Sequence, residues 1–250
     1  MLRSAKELHN YVMSAEDGEI GRCKDFLFDD SAWTIRYMVA DTGKWLPKQK
    51  VLISPISLGE PDWKSRRLSV MLTKAQIEAS PAVETDAPIS QEYEQKWYEH
   101  YNWSPYWYGG GIWGRGAVPQ LLSKSTTRAT ATMEASEKPS HNLRSVGEVT
   151  GYRIQATDGE IGHVEDFIVD DLTWTIRYLV VDTKNWLPGR KVLVAPRWAT
   201  KIEWRNGHVH LDLTRDLIKN GPEYNPDTPV NRRYETQLYD YYGRPRYWEL

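Results

Sequence analysis

The sequence predicts a mainly β chain: two small antiparallel, strand-rich domains in tandem, each followed by short helices. Three observations predict it. The run Asp17-Gly18-Glu19-Ile20-Gly21 recurs as Asp158-Gly159-Glu160-Ile161-Gly162, an offset of 141 residues. That offset holds without a gap on either side, with about 40 per cent identity over roughly a hundred aligned positions, too long a period for a solenoid. Leu68, Val70 and Leu72 alternate with Ser69 and Met71, and Val209, Leu211 and Leu213 with His210 and Asp212. That period of two belongs to a strand buried on one side.

The elements follow in order. Each repeat opens on Leu-Arg-Ser, at Leu2 and at Leu143. A first strand is expected over Tyr11 to Ala15, then a hairpin at Asp17-Gly18, because glycine accepts positive φ and Asp tolerates it. Gly159 plays the same part after Asp158. The next strand runs from Gly21 to Phe28, and Gly21 and Gly162 are placed where a strand must bend. Asp29-Asp30 and Asp170-Asp171 end it, since short polar side chains hydrogen-bond local backbone. Trp33 to Val39 follows, apolar on both faces, as a central strand should be. A turn reaches Trp45-Leu46-Pro47, and Lys50 to Ile53 forms a further strand closed by Pro55. Thr73 is expected to cap a short helix, with Gln76 completing a capping box. Ser90 and its twin Asn231 cap a second helix in each repeat. Tyr93, Trp97 and Tyr101 form a stripe on the first of these; Tyr234, Leu238 and Tyr242 form it on the second, to dock on a sheet.

These elements divide the chain into a first domain at 1–107, a linker at 108–142 rich in Gly, Ser and Thr, and a second domain at 143–250. Each has enough residues for its own core. Ile112 and Trp113 stand out in the linker and are expected to tack it down or to serve as a binding peptide.

Composition narrows the function classes. Charged residues are 26% and net charge is −2, so no basic field points to nucleic acid or an anionic membrane. Twelve Trp and fifteen Tyr against three Phe favour half-buried surfaces and interfaces. Cys23 is the single cysteine, its twin is Val164, and it reads as a small buried hydrophobe. There is no signal-peptide run and no apolar stretch long enough to span a bilayer, so a cytoplasmic protein is expected.

Candidate chemistry is sparse. The Asp29-Asp30 and Asp170-Asp171 pairs supply too few oxygens for calcium and read as turns. Asp17 with Glu19, and Asp158 with Glu160, sit at hairpin tips, where an acid or base lacks a cleft. Asp25 and Asp166 are expected to pair with Arg36 and Arg177 on the neighbouring strand. His208 and His210 share a strand face directed outward, short of the ligands zinc requires. No catalytic, metal or cofactor residues are assigned. The binding residues expected from the aromatic surface are Trp97, Trp103, Trp107, Trp113, Tyr247 and Trp248; Asp17, Gly18, Gly21, Asp158, Gly159, Gly162, Arg36 and Arg177 are structural.

Asp-Gly-Glu-Ile-Gly, a strand ending in Asp-Asp, Ile-Arg-Tyr-Met-Val or Ile-Arg-Tyr-Leu-Val, and Lys-Val-Leu-Ile-Ser-Pro or Lys-Val-Leu-Val-Ala-Pro together resemble the PRC-barrel family. The resemblance covers positions 2–80 and 143–221. The family includes the cytoplasmic part of the photosynthetic reaction-centre H subunit and a domain of a bacterial ribosome-maturation factor. The resemblance implies two strongly curved antiparallel β-barrels, and the tandem repeat itself is expected to let them close within the chain as a pseudo-symmetric pair, or associate further as a homo-oligomer. The resemblance also implies a bacterial or archaeal source and no shared catalytic residues. The expected function is therefore a non-enzymatic scaffold or adaptor for protein partners, linked by resemblance to photosynthetic or membrane-associated complexes. The alternative is an RNA- or ribosome-associated module, for which the tail Tyr241-Tyr242-Gly243-Arg244-Pro245-Arg246-Tyr247-Trp248 interleaves aromatics with arginine. The near-zero net charge disfavours it.

Overall fold

The computed structural model describes residues 1–43, 45–46, 49–83, 89–120, 142–183 and 190–249. The linker stretch 121–141 and Pro47 lie outside the described residues. In chain order the elements are β1 (Leu2–Ser4), α1 (Ala5–Leu8), β2 (Val12–Ala15), β3 (Gly18–Asp29), β4 (Thr34–Asp41), β5 (Lys50–Ile53), β6 (Arg67–Ser69), α2 (Lys74–Glu78) and α3 (Gln91–Tyr101). The second half follows with β7 (Leu143–Ser145), α4 (Val146–Val149), β8 (Arg153–Ala156), β9 (Gly159–Asp170), β10 (Ile176–Asp182) and β11 (Lys191–Val194). It ends with β12 (Ala199–Glu203), β13 (His208–Leu211), α5 (Arg215–Lys219) and α6 (Arg232–Tyr242).

The chain forms two compact units, and neither is one unbroken block of sequence. One comprises Leu8–Ser145 with Leu172–Thr175; the other comprises Met1–Glu7, Val146–Asp171 and Ile176–Leu250. The first unit carries the sheet β5-β4-β3-β2-β6, with β7 paired on β3. The second carries β11-β10-β9-β8-β13-β12, with β1 paired on β9.

Neither sheet closes into a barrel, which corrects the expectation of two barrels, and the strands are not all antiparallel. β2 pairs parallel to β6, and β8 parallel to β13. Each sheet's path ends on two separate edge strands that do not pair with each other, β5 and β6 in one and β11 and β12 in the other. The architecture is mixed β and α, two similar sheets with helices packed on them. The physical reason is visible at β4, where Thr34 to Ala40 are all buried. Trp97 of α3 packs edge-on against Tyr37 of β4 at 5.1 Å. A helix thus covers apolar surface that a closing strand would otherwise protect.

The turn chemistry follows the sequence with a shift of one residue. Ala15 pairs with Gly18 and Ala156 with Gly159, so the two-residue turns are Glu16-Asp17 and Thr157-Asp158. Gly18 and Gly159 begin the next strand at φ +133° and +131°. Gly21 and Gly162 answer to close backbone approach: a Cβ on either would sit 2.0 Å from the carbonyl oxygen of Asp41 or Asp182. β4 starts at Thr34 rather than Trp33, because Trp33 is left-handed, as is its twin Trp174, at φ +52° and +58°. Thr73 caps α2 with Gln76 in a capping box, and Ser90 and Asn231 cap α3 and α6. Cys23 is buried, and burial pushes its thiol up, away from thiolate chemistry.

Candidate functional site

Among the described residues the fully buried charged side chains, Asp29, Arg36, Glu94 and Glu235, belong to one cluster, written once in each unit. In the first unit it begins at the end of β3. Asp29 Oδ1 accepts from the backbone of Ser31 at 2.9 Å and Ala32 at 2.8 Å, which forms the turn. Its Oδ2 accepts from Arg36 Nε at 3.0 Å and Nη2 at 2.6 Å. Burial works to raise the Asp29 carboxyl. The Arg36 charge and the Ser31 and Ala32 hydrogen bonds outweigh it, and the carboxyl is held below its ordinary value. Both side chains of the pair are 3% exposed. Arg36 also donates to the carbonyl of Ile112 at 2.6 Å and lies over the rings of Tyr106 at 3.8 Å and Trp113 at 4.9 Å. Ile112 and Trp113 therefore tack down the start of the linker, and Trp113 Nε1 donates to Thr173 O at 2.8 Å.

One residue beyond Arg36, Tyr37 turns to the helix. Its hydroxyl donates to Glu94 Oε1 at 3.0 Å, and Tyr106 donates to the same oxygen at 3.0 Å. Glu94 is 1% exposed. Burial, with Tyr98 and Glu94 close by, pushes the Tyr37 hydroxyl up, so it remains a proton donor.

The second unit repeats the pattern at the same offset. Arg177 pairs with Asp170 at 3.1 Å, Tyr178 donates to Glu235 at 2.7 Å, and Tyr247 donates to Glu235 at 2.9 Å. Arg177 lies over Tyr247 at 4.2 Å. Arg232 pairs with Glu235 at 3.0 Å and lies over Trp248 at 4.0 Å. The Asp170–Arg177 pair is wetter than its twin, at 19% exposure for both side chains.

The expected pairing of Arg36 with Asp25, and of Arg177 with Asp166, is corrected. The pairing of β3 with β4 shifts register between Leu27 and Phe28, opposite Tyr37 and Ile35. Arg36 lies within that bulge, which re-aims its side chain towards Asp29. Arg177 lies within the equivalent bulge, between Ile176 and Tyr178. Asp25 and Asp166 instead accept from Ser145 and Ser4, each at 2.5 Å.

The remaining sequence-predicted residues lie as follows. Trp97, Trp107 and Trp113 are buried, while Trp103, Tyr247 and Trp248 are half-buried. Trp97 packs among Tyr98, Tyr101 and Trp103 at 4.7–5.5 Å, and Trp103 stacks on Tyr101. Asp17 accepts from the backbone of Lys74 at 2.8 Å and Asp158 from that of Arg215 at 2.8 Å, which ties each hairpin turn to the helix after the sheet. His208 and His210 are half-buried neighbours with ring centres 6.3 Å apart. Among the described residues no group of three or more His, Cys, Asp or Glu is placed to hold a metal ion. Sequence reasoning missed Glu94 and Glu235. The signal available was their recurrence at the repeat offset together with Tyr37/Tyr178 and Tyr106/Tyr247.

Residues 142–218 match the family model of the PRC-barrel domain, a non-catalytic module. No curated protein matches the chain. Among the described residues no helix is long and apolar enough to cross a membrane.

Proposed function

We propose that the chain is a non-enzymatic scaffold or adaptor that binds protein partners in the cytoplasm. The observation that carries this reading is the use made of the repeated carboxylates. Asp17 and Asp158 hold helix starts, Asp29 and Asp170 hold arginines, and Glu94 and Glu235 hold tyrosines. A general acid or base must reach a substrate proton, and these groups are committed to internal donors. The match to a protein-interacting domain supports the same reading.

Partner contact is assigned to half-buried aromatics in each unit taken by itself, Trp103 in the first and Tyr247 and Trp248 in the second, where exposed Tyr241 lies near in sequence. Amphipathic rings with a charged rim form the usual centre of a protein interface. The arginines of the tail favour a protein over RNA. Arg244 pairs with Asp212, and Arg246 with Asp240 and Glu249, so their charge is already balanced.

Affinity capture with the full chain from its native cell, at several salt concentrations, tests the proposal. Specific proteins are expected to be retained, and Trp248→Ala in a folded variant is expected to lose them. Recovery of the chain alone at every salt concentration overturns the proposal. Recovery abolished by nuclease replaces it with the nucleic-acid reading.

A further inference from the structure

The first strands of the two repeats have the same sequence and lie on the opposite repeat's long strand. Leu2, Arg3 and Ser4 of β1 pair with Asp170, Val169 and Ile168 of β9. Leu143, Arg144 and Ser145 of β7 pair with Asp29, Phe28 and Leu27 of β3. The side chains follow the same code on both edges. Arg3 pairs with Asp171 at 2.9 Å and Arg144 with Asp30 at 3.2 Å. Ser4 donates to Asp166 and Ser145 to Asp25. The backbone ladder extends one step further in each, from Asp171 N to Met1 O at 2.9 Å and from Asp30 N to Asn142 O at 3.1 Å. The family match at 142–218 also begins on an exchanged strand, since β7 belongs to one compact unit and Val146 onward to the other.

We propose that β3 and β9 each present a strand-accepting edge specific for extended Leu-Arg-Ser, and that a second copy of this chain fills such an edge by exchanging its own strand. The acceptor is the stretch of backbone that pairs here with β1 or β7, flanked by two carboxylates, one for the guanidinium and one for the hydroxyl. Both donor strands carry the same Leu-Arg-Ser, so these three residues give the edge no means of distinguishing β1 from β7, or either from the same strand of another molecule. The residue before them differs, Met1 with its ammonium on Asp171 and Asn142 with its backbone N on Asp30. Within one chain the choice is made by covalent tethering, which raises the local concentration of the chain's own strands above that of another molecule's. A second copy competes when chains fold together at high concentration. This inference is independent of the scaffold reading, since it concerns only what occupies the two edges.

Reversing the charges of one pair tests it on the full chain. Arg3→Asp in one preparation and Asp171→Arg in another each place like charges across the edge. Unfolded together and refolded as an equal mixture, the two chains satisfy each other: the reversed strand of the first suits the reversed edge of the second, and the remaining strand and edge match as well. The expected result is a species of twice the 29.0 kDa chain mass in the mixture, increasing with concentration and scarce in either variant refolded by itself. The Arg3→Asp/Asp171→Arg double variant is expected to refold as a monomer. A mixture with no more dimer than the separate variants, beside a folded double variant, overturns the proposal. Arg144→Asp and Asp30→Arg repeat the test at the other edge and decide it if the first double variant does not fold.

Discussion

Trp97 and Trp198 occupy matching aromatic settings in their units although they come from different elements. Trp97, on α3, packs on Tyr98 at 5.3 Å and Tyr101 at 4.7 Å. Trp198, from the short turn of 3₁₀ helix at Pro196–Trp198, packs on the twin tyrosines Tyr239 and Tyr242 at 5.2 and 5.1 Å. At the position matching Trp198 the first unit has buried Ser57, and at the position matching Trp97 the second has Leu238. Each of these tyrosine pairs thus receives an indole from a different element, from α3 in one unit and from the 3₁₀ turn in the other.

Exchanging the delivery route should therefore conserve core volume. Trp97→Leu by itself is expected to cost ~2–5 kcal/mol through the cavity it leaves. Ser57→Trp alone overpacks and is expected to cost ~1–3 kcal/mol. The double variant is expected to be more stable than the sum of the two losses allows, with a coupling of ~0.5–3 kcal/mol by urea denaturation. Strict additivity would show that the two positions do not share one space.

Glu94 is the acceptor for two buried hydroxyls, so its removal is costly. Glu94→Ala should destabilise by ~1–3 kcal/mol for each tyrosine left without its acceptor. Glu94→Gln keeps a carbonyl oxygen in place and should cost less. Denaturation midpoints of the two variants check the order.

Gly21→Ala and Gly162→Ala should both fail for the same reason, contact with the next strand's carbonyl at 2.0 Å. Gly21 has the added burden of φ +138°. Losses above the ~0.5–1 kcal/mol of an ordinary glycine replacement are expected, with Gly21 the more sensitive. Gly43→Ala is the control, because nothing lies within 4 Å of its Cβ position and only its φ of +57° opposes the change.

The Asp29–Arg36 pair sets an acid limb on stability. The folded carboxyl titrates below its ordinary value of 3.8, so the unfolded chain takes up the proton first. The contribution of the pair is complete above the unfolded value and is lost as pH falls through the folded one. Asp29→Asn should lower stability at neutral pH and flatten the decline below about pH 4. A parallel decline in variant and parent would assign the acid limb to other groups.

Much of the fold was legible because it is set by local chemistry. The capping box at Thr73, the caps at Ser90 and Asn231 and the strand Lys50–Ile53 lie where the residues put them. The hairpin slipped by one residue, since Asp17 and Gly18 alone do not say which of them begins the ladder. Barrel closure did not follow, because strand periodicity gives the face of a strand and not the pairing of a sheet's two ends. The partner of Arg36 was not legible for a different reason. A bulge breaks the alternation that parity arguments assume, and it leaves no mark in an otherwise regular run from Thr34 to Ala40. Glu94 was obscured by its aromatic neighbours, where a charged residue ordinarily signals the wet face of a helix. Strand exchange was hidden by identity itself: Leu-Arg-Ser fits either edge.

The carboxylates as internal ties are tested most directly by a double-mutant cycle on Asp29 and Arg36. Asp29→Ala leaves a guanidinium buried without its counter-charge and should cost ~3–5 kcal/mol. Asp29→Ala with Arg36→Met removes both charges and should recover much of that loss, giving a coupling of at least ~1 kcal/mol. The same cycle on Asp170 and Arg177 should give a smaller coupling, because that pair is wetter. A coupling near zero at Asp29 and Arg36 would contradict the structural role and leave Asp29 available for other chemistry.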